Sequence, residues 1–351
     1  MKKIMTRNRA LAMALMLMLT MLAGCGGSNS KPADDNAAKQ EPAVSAPAKD
    51  ADDSEDADTG SGSKEIGVIF CDLNNPVFVV MKNAIEEKIS ELGYTATILN
   101  SEGSSETELQ NVQNLVSKNV AAILVLANDS DTSVNTIKIA NDAGIPIVGF
   151  NRPIYNEDSD AELVTQVITD NVSGGEIAGK LAIELLEGVE NPKVAILRGT
   201  LGVASDKERY EGFMSAIAGS ALEDAIVAEQ SGNYNTQDGF ATMQNIIQAQ
   251  PELDLVYSEN DTMAVGVMSA LEGAQMEDVK IIGFDGSEEV VEYIVEGKIQ
   301  ATVAQKFKTM GTTAVEYAIK AIEGEAEDIP ERVLVDTELV TGENADGYVG
   351  K

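Results

Sequence analysis

Apolar residues along this chain fall into short unbroken runs, separated by longer stretches in which they recur at helical spacing. Ile66 to Phe70 is such a run and reads as a buried strand, stopped by the polar turn Cys71-Asp72-Leu73-Asn74-Asn75. Pro76 opens a helix in whose first turn a missing N–H costs nothing, and Val77, Met81, Ala84, Ile85, Ile89 and Leu92 mark its apolar stripe. The same alternation continues with strands over Tyr94 to Leu99, Ala121 to Leu126, Ile147 to Phe150 and Leu163 to Ile168. Helices over Glu106 to Lys118 and Asp131 to Ala143 lie between them. Pro146 precedes the third of these strands, a position a strand tolerates.

A second cycle starts at Asp170. Helices are expected over 172–187, 206–218, 236–249, Thr262 to Leu271, Glu288 to Glu296 and Thr309 to Ile322. Strands are expected at Val194 to Leu197, Ala225 to Glu229, Leu253 to Tyr257, Val279 to Phe284 and Gln300 to Ala304, with Arg332 to Val340 as one late extended stretch. Runs of Val, Ile and Leu without alternation belong to strands covered on both faces, hence to parallel sheets with right-handed crossovers. The order therefore predicts an α/β fold of two doubly wound parallel-sheet domains in tandem. Small ligands bind at the strand-to-helix mouths of such sheets, and a cleft between two such domains is a favoured site.

The termini and the composition narrow this further. Lys2, Lys3, Arg7 and Arg9 precede an apolar core, Leu11 to Leu22, that is too short to span a bilayer. It ends in Leu22-Ala23-Gly24-Cys25, which resembles the lipobox of bacterial lipoproteins; residues 1–25 are read as a signal peptide and Cys25 as the lipidated N-terminus of the mature chain. Residues 26–64 hold nine Asp/Glu against four Lys, with no aromatic residue, and are expected to be a disordered acidic tether. The remaining 287 residues suffice for two cores. A net charge of −33 opposes binding to nucleic acid or to anionic lipid headgroups. The chain has no histidine, which excludes Ser-His-Asp triads, Cys-His dyads and His-ligated zinc. With Cys25 lipidated, Cys71 has no partner for a disulfide within the mature chain.

Three motif matches fail on context. Gly174 to Leu181 nearly spells a P-loop, but Leu181 replaces the metal-binding hydroxyl and the segment lies inside a helical pattern, so its small residues are read as helix packing. Asn156, Asp158 and Asp160 have calcium-loop spacing, but Ala161 replaces the required Gly and Val167 the bidentate Glu. Asn171-Val172-Ser173 is a glycosylation sequon by letters and is expected to cap a helix.

The strand mouths, taken in order, are Leu73-Asn74-Asn75-Pro76-Val77-Phe78, Phe150-Asn151-Arg152-Pro153, Asp170-Asn171, Lys207 to Phe213, Glu259-Asn260-Asp261-Thr262-Met263-Ala264, Gly283-Phe284-Asp285-Gly286 and Ala304-Gln305. This ordered set resembles the ribose/galactose branch of the bacterial periplasmic sugar-binding proteins, over essentially all of residues 65–340. The resemblance implies a periplasmic binding protein-like fold of type I. Its N-terminal domain would comprise 65–169 plus 306–335, and its C-terminal domain 170–305 plus 336–351. The chain would cross near 169–171, 305–307 and 335–337, which forms a hinge.

The resemblance further implies a ligand site made of Asn75, Phe78, Arg152, Arg209, Asn260, Asp285 and Gln305, with Asn151 and Tyr234 at positions that also contact sugar. Those residue types suit vicinal hydroxyls: Arg is a fork of donors, Asp accepts, and Asn and Gln do both. Phe78, Tyr234 and Phe284 are the candidate stacking platforms, as the chain has no Trp. Each also has a plain structural reading. Phe78 fits the core, Arg152 and Arg209 fit surface ion pairs, Asp261 fits the cap of the helix after Asn260, Asp285 fits a turn, and Gln305 fits the hinge. Val77 stands where ribose binders carry an aromatic, and Asn151 where they carry Asp; Ala127-Asn128 is one residue short of the ribose pattern, leaving open which of the two faces the ligand. The sugar is thus a pentose or hexose, ribose-like or galactose/glucose-like. The implied protein is a monomeric, lipid-anchored solute-binding component of an ABC importer on the outer face of the cell membrane, with permease subunits as partners. It is neither an enzyme nor the holder of a cofactor or metal. The alternative is a sensor presenting a bound sugar or furanosyl signal to a membrane receptor.

Overall fold

The computed structural model describes residues 63–155 and 159–348. Cys25 and the tether up to residue 62 lie outside the described residues, as do Asn156 and Asp158 of the calcium-like spacing; Asp160 pairs with Lys138 at 2.8 Å.

In chain order the first part forms β1 (Glu65–Phe70), α1 (Pro76–Glu91), β2 (Thr95–Asn100), α2 (Ser105–Ser117), β3 (Ala122–Val125), α3 (Val134–Asp142), β4 (Ile147–Asn151) and β5 (Thr165–Thr169). The second part forms α4 (Asn171–Leu185), β6 (Val194–Arg198), α5 (Ala204–Ile217), β7 (Ile226–Ser231), α6 (Thr236–Ala249), β8 (Leu255–Ser258), α7 (Asp261–Gly273), β9 (Lys280–Asp285), α8 (Glu288–Val295) and β10 (Ala301–Ala304). The chain then returns through α9 (Phe307–Ile322), β11 (Arg332–Val335) and β12 (Glu338–Thr341).

Two six-stranded sheets result, ordered β11-β5-β4-β3-β1-β2 and β12-β10-β9-β8-β6-β7. Their paired strands run parallel, except that β12 is antiparallel to β10. The architecture is the two-domain, parallel-sheet α/β fold that the sequence pattern implied. One expectation needs correction. The late stretch from Arg332 to Val340 is two strands, not one, and Asp336-Thr337 carries the chain from the edge of the first sheet to the edge of the second.

Each sheet is covered on both faces. Ile66, Val68 and Phe70 of β1 pack with Met81 and Ile85 of α1 and Met310 and Val315 of α9, whereas Ile69 points the other way, to Val112 and Leu115 of α2 and Ile137 of α3. In the second sheet Leu197, Val256 and Ile281 face α6, α7 and α8, and Ile196, Tyr257 and Phe284 face α4 and α5. Period-two alternation thus points apolar side chains into two separate cores, which is why these strands read as unbroken apolar runs.

The glycines of the near P-loop do structural work. A Cβ at Gly175 would lie 2.2 Å from the backbone oxygen of Arg209, and one at Gly179 would lie 2.8 Å from that of Phe213. From the other side, a Cβ at Gly212 would lie 2.0 Å from the Val172 carbonyl oxygen. The small residues let α4 and α5 approach backbone to backbone, and this fixes where Arg209 emerges. Asp170, and not Asn171, caps α4, its Oδ1 accepting from Ser173 N at 3.0 Å. Asn171 is thereby free to turn inward.

The three crossings lie side by side. Asp170 N donates to Val335 O at 3.0 Å, Lys306 pairs with Asp336 at 2.8 Å, and Thr169 Oγ1 donates to Gln305 Oε1.

Candidate functional site

The polar residues at the strand ends owe their positions to local backbone geometry. Asn75 caps α1, Oδ1 accepting from Val77 N at 3.2 Å, so its amide nitrogen is left to face outward. Phe78, one turn in, is only 5% exposed and belongs to the first core, yet its ring edge borders the cavity between the lobes. Phe78 thus belongs to the core and to the cavity wall at once.

Asn151, Tyr234 and Asp285 have φ of 64°, 57° and 127°, the left-handed region that non-glycine residues seldom enter. Asn151 and Asp285 are the last residues of β4 and β9, and Tyr234 follows β7. The turn of the backbone at each point aims the side chain off the sheet end. Strain at three such places, all around one cavity, is the pattern expected where a fold holds side chains for a purpose.

Arg152 reaches from the first lobe. Its Nη1 donates to the carbonyls of Ala127 and Asn128 at 3.3 and 3.4 Å, and its guanidinium lies 5.9 Å from the ring centroids of both Phe78 and Tyr234. Neither Ala127 nor Asn128 borders the cavity; their carbonyls anchor Arg152.

Arg209, on α5, is 5% exposed and held on every side. Nε donates to Asn171 Oδ1 at 3.0 Å, Nη1 donates to Glu259 O at 2.5 Å, and Asp285 Oδ1 lies 3.6 Å from Nη1. Its guanidinium sits 3.8 Å from the Phe284 ring centroid. Phe284 is therefore the base on which Arg209 rests. It is fully buried and does not border the cavity, contrary to the expectation of a sugar platform.

The helix cap expected of Asp261 falls to Asn260. Asn260 caps α7, its Oδ1 accepting from Met263 N at 2.9 Å. Asp261 accepts from Thr302 Oγ1 and from Ser287 N, both at 2.7 Å, and so braces β10 and the start of α8. Asn260 nonetheless borders the cavity, as does Asp285. Gln305 donates from Nε2 to Asp285 Oδ1 at 2.6 Å and accepts from Asn151 Nδ2 at 3.2 Å. Its polar atoms are engaged across the hinge.

All nine residues singled out in the sequence border one cavity of about 20 Å³ between the lobes, together with Ser205. That volume is on the order of one water, so a sugar ring enters only when the walls part. A larger hollow of about 730 Å³ adjoins it, with Asn75 and Gln305 bordering both. Its lining is mainly the first turns of helices and apolar side chains such as Val80, Val265 and Phe307. The convergent donors and acceptors belong to the smaller cavity.

Burial sets the electrostatics. It raises the Asp285 carboxyl to about 6 against the pull of Arg209, and raises Asp261 to about 7 with the Asp285 charge adding to the effect. It also lifts the Tyr234 phenol well above its ordinary range. Behind this wall Glu259 is fully buried and pushed well up by burial and by Asp206. Its Oε2 accepts from Gly199 N at 2.8 Å and its Oε1 pairs with Arg198 at 3.0 Å. Arg198 in turn grips Asp206 with two hydrogen bonds of 3.0 and 2.8 Å.

Ser205 of the cavity wall and Glu259 behind it were not singled out in the sequence, and Asn171, expected to cap a helix, instead holds Arg209. Ser205 had a findable signal, since it lies four residues before Arg209 on one helix face, but the helix was expected to start only at 206. In sum the cavity offers two cationic forks, four amides, one carboxylate, two hydroxyls and two aromatic faces. This is a set for holding a polyhydroxylated ring by hydrogen bonds and stacking.

Fold and cavity together define a two-lobed binding protein that closes on a small solute. A model of the family described as periplasmic binding protein domain matches residues 66–326, and the chain belongs to that family. It is 34% identical over 275 residues to the ribose import binding protein RbsB of Escherichia coli (strain K12), covering 78% of this chain and 90% of that protein. To the D-apiose import binding protein of Actinobacillus succinogenes it is 31% identical over 281 residues, covering 80% of this chain and 89% of the other. Among solved structures, a periplasmic solute-binding protein of an ABC transporter from Actinobacillus succinogenes 130z with bound D-allose superposes with a TM-score of 0.75 at 30% identity, covering 81% of this chain and 99% of that one. An ABC transporter solute-binding protein from Bacillus halodurans with bound myo-inositol gives a TM-score of 0.75 at 29% identity, covering 83% and 99%. Among the described residues no helix is long and apolar enough to cross a membrane.

Proposed function

We propose that this protein captures a monosaccharide between its two lobes and delivers it to an ABC importer. The observation that carries the reading is the convergence of nine polar and aromatic residues, from separate segments of both lobes, on one cavity. Relatives named for the import of ribose and D-apiose, and a solved relative holding D-allose, agree in ligand class.

In this reading Asn75, Asn151, Arg152, Arg209, Asn260 and Asp285 hydrogen-bond the sugar's hydroxyls, and Phe78 and Tyr234 cover its faces. Gln305 acts mainly as the hinge link. Residues 65–169 plus 306–335 move as one lobe and 170–305 plus 336–351 as the other, turning about the three crossings. Sugar favours the closed form because only there do both walls touch it. The permease subunits recognise that closed shape, and no covalent step is involved. The protein acts as a monomer outside the cytoplasmic membrane, anchored through a lipid on Cys25 after removal of residues 1–24. Metabolic labelling with a fatty acid, lost in Cys25→Ala, checks the anchor.

Thermal shift and calorimetry against a panel of pentoses, hexoses and cyclitols test the function. A ligand at about 100 times its dissociation constant adds roughly 2.7 kcal/mol of stability. Arg152→Ala and Asp285→Ala remain folded and lose the shift. Absence of any shift across the panel overturns the sugar reading; normal binding by both variants overturns the residue assignment.

A further inference from the structure

Ser205 is the second residue of α5, is 4% exposed, and faces the cavity one turn before Arg209. It does not cap its helix. The N-terminus of α5 has no side-chain cap of its own, and Ala204 N donates instead to Ser130 Oγ at 3.1 Å. Among the described residues the one hydrogen-bond contact of Ser205 Oγ is the Tyr234 hydroxyl at 3.2 Å, longer than the usual 2.5–3.0 Å of an O–H···O bond. Two hydroxyls bring two hydrogens, of which one fits between them. The other hydrogen, and lone pairs on both oxygens, have no further partner among the described residues.

The Tyr234 hydroxyl is also held in place. A Cβ at Gly199 would lie 2.0 Å from Tyr234 Cζ and 2.4 Å from its oxygen, so only glycine admits the ring here. The guanidinium groups of Arg152 and Arg209 each lie 5.9 Å from the ring centroid. A phenylalanine would serve as well for stacking; what the tyrosine adds is an oxygen paired with Ser205 at the cavity wall.

We propose that Ser205 is a specificity-determining residue which, with the Tyr234 hydroxyl, reads one hydroxyl of the captured ring. The preferred ligand is then a neutral polyol ring bearing a free hydroxyl at that corner, and a ring deoxygenated there is refused. The inference rests on the monosaccharide reading above and sharpens its ligand class. A site that loses a ligand hydroxyl leaves its own polar groups unpaired, and this is what makes such readout strict.

The test takes whichever of D-ribose, D-allose and myo-inositol binds the wild type, with its full set of single-deoxy derivatives. Calorimetry is run on wild type, Ser205→Ala and Tyr234→Phe, with melting curves of the free proteins as a check on folding. At one ring position the wild type loses about 100-fold in affinity on deoxygenation, and that loss shrinks to within about 10-fold in both variants. Losses at the other positions stay as in wild type. If both variants keep wild-type discrimination everywhere, or weaken every derivative by one common factor, Ser205 is structural and the proposal fails while the sugar reading stands. If none of the three probes binds the wild type, the proposal fails, while the sugar reading is decided by the full panel.

Discussion

Gln305 Nε2 donates to Asp285 Oδ1 at 2.6 Å, while Gln305 Oε1 accepts from Asn151 at 3.2 Å and from Thr169. Asp285 ends a strand of the second sheet, and Asn151 and Thr169 end strands of the first, so one amide at the middle crossing ties both lobes together. Gln305→Ala leaves three buried polar groups short of a partner, at a cost of about 1–3 kcal/mol. The lobes of the variant spend more time apart. Small-angle scattering is expected to give a larger radius of gyration than wild type, and sugar affinity is expected to fall roughly 10-fold or more. An unchanged radius with unchanged affinity would mean that the tie does not govern closure.

A second link across the lobes is the bond from Ala204 N to Ser130 Oγ, by which a serine of the first lobe caps a helix of the second. A lost cap costs about 1 kcal/mol, and because this one joins the two lobes its loss is expected to fall on their closed arrangement. Ser130→Ala should therefore weaken sugar binding about 5-fold while the melting temperature of an opened, ligand-free protein stays put. The ratio of ligand release rates, measured by stopped flow, is the sensitive readout.

Asp261 and Asp285 make the stability depend on pH in an unusual sense. Burial raises both, to about 7 and about 6. A carboxyl whose pKa is higher folded than unfolded binds its proton more tightly in the native state. Its contribution is fully present below the ordinary value near 3.8 and is lost as the pH rises through the folded value. Between those limits each extra proton held by the native state is worth about 1.4 kcal/mol per pH unit. Asp261→Asn removes one such group, so its melting temperature should fall less steeply than that of wild type as the pH rises from about 4 to about 7. Parallel slopes for the two proteins would show that Asp261 is ionised throughout.

Gly199→Ala places a methyl 2.0 Å from Tyr234 Cζ. The ring must yield, so affinity for sugar should drop more than about 10-fold with the far-ultraviolet dichroism intact. In a Tyr234→Ala background the same change should cost at least about 1 kcal/mol less stability, because the clash is gone. Additive effects would show that the glycine serves some other neighbour.

Much of this was legible along the chain. Unbroken apolar runs and helical stripes gave the order of elements, and the ordered strand mouths named nine residues that share one cavity. What was not legible depends on which of two adjacent polar residues the backbone turns inward. Asn260 caps and Asp261 braces, Asp170 caps and Asn171 clamps Arg209, and in each case both residues are chemically able to do either task. Phe284 likewise carries the letters of a platform but lies beneath Arg209. The break between Arg332–Val335 and Glu338–Thr341 left no signal, since Asp336-Thr337 is neither Gly nor Pro and both flanks are extended.

That break has a consequence for how the molecule is made. The first lobe lacks both an edge strand and a covering helix until residues 307–335 have left the ribosome, because α9 packs on α1 and β11 pairs with β5. Its amino-terminal half therefore cannot lock into a finished domain during synthesis, and the contacts that complete it span more than 150 residues of chain. For the export proposed above, the chain is thus kept unfinished, and threadable, until almost its last strand is available.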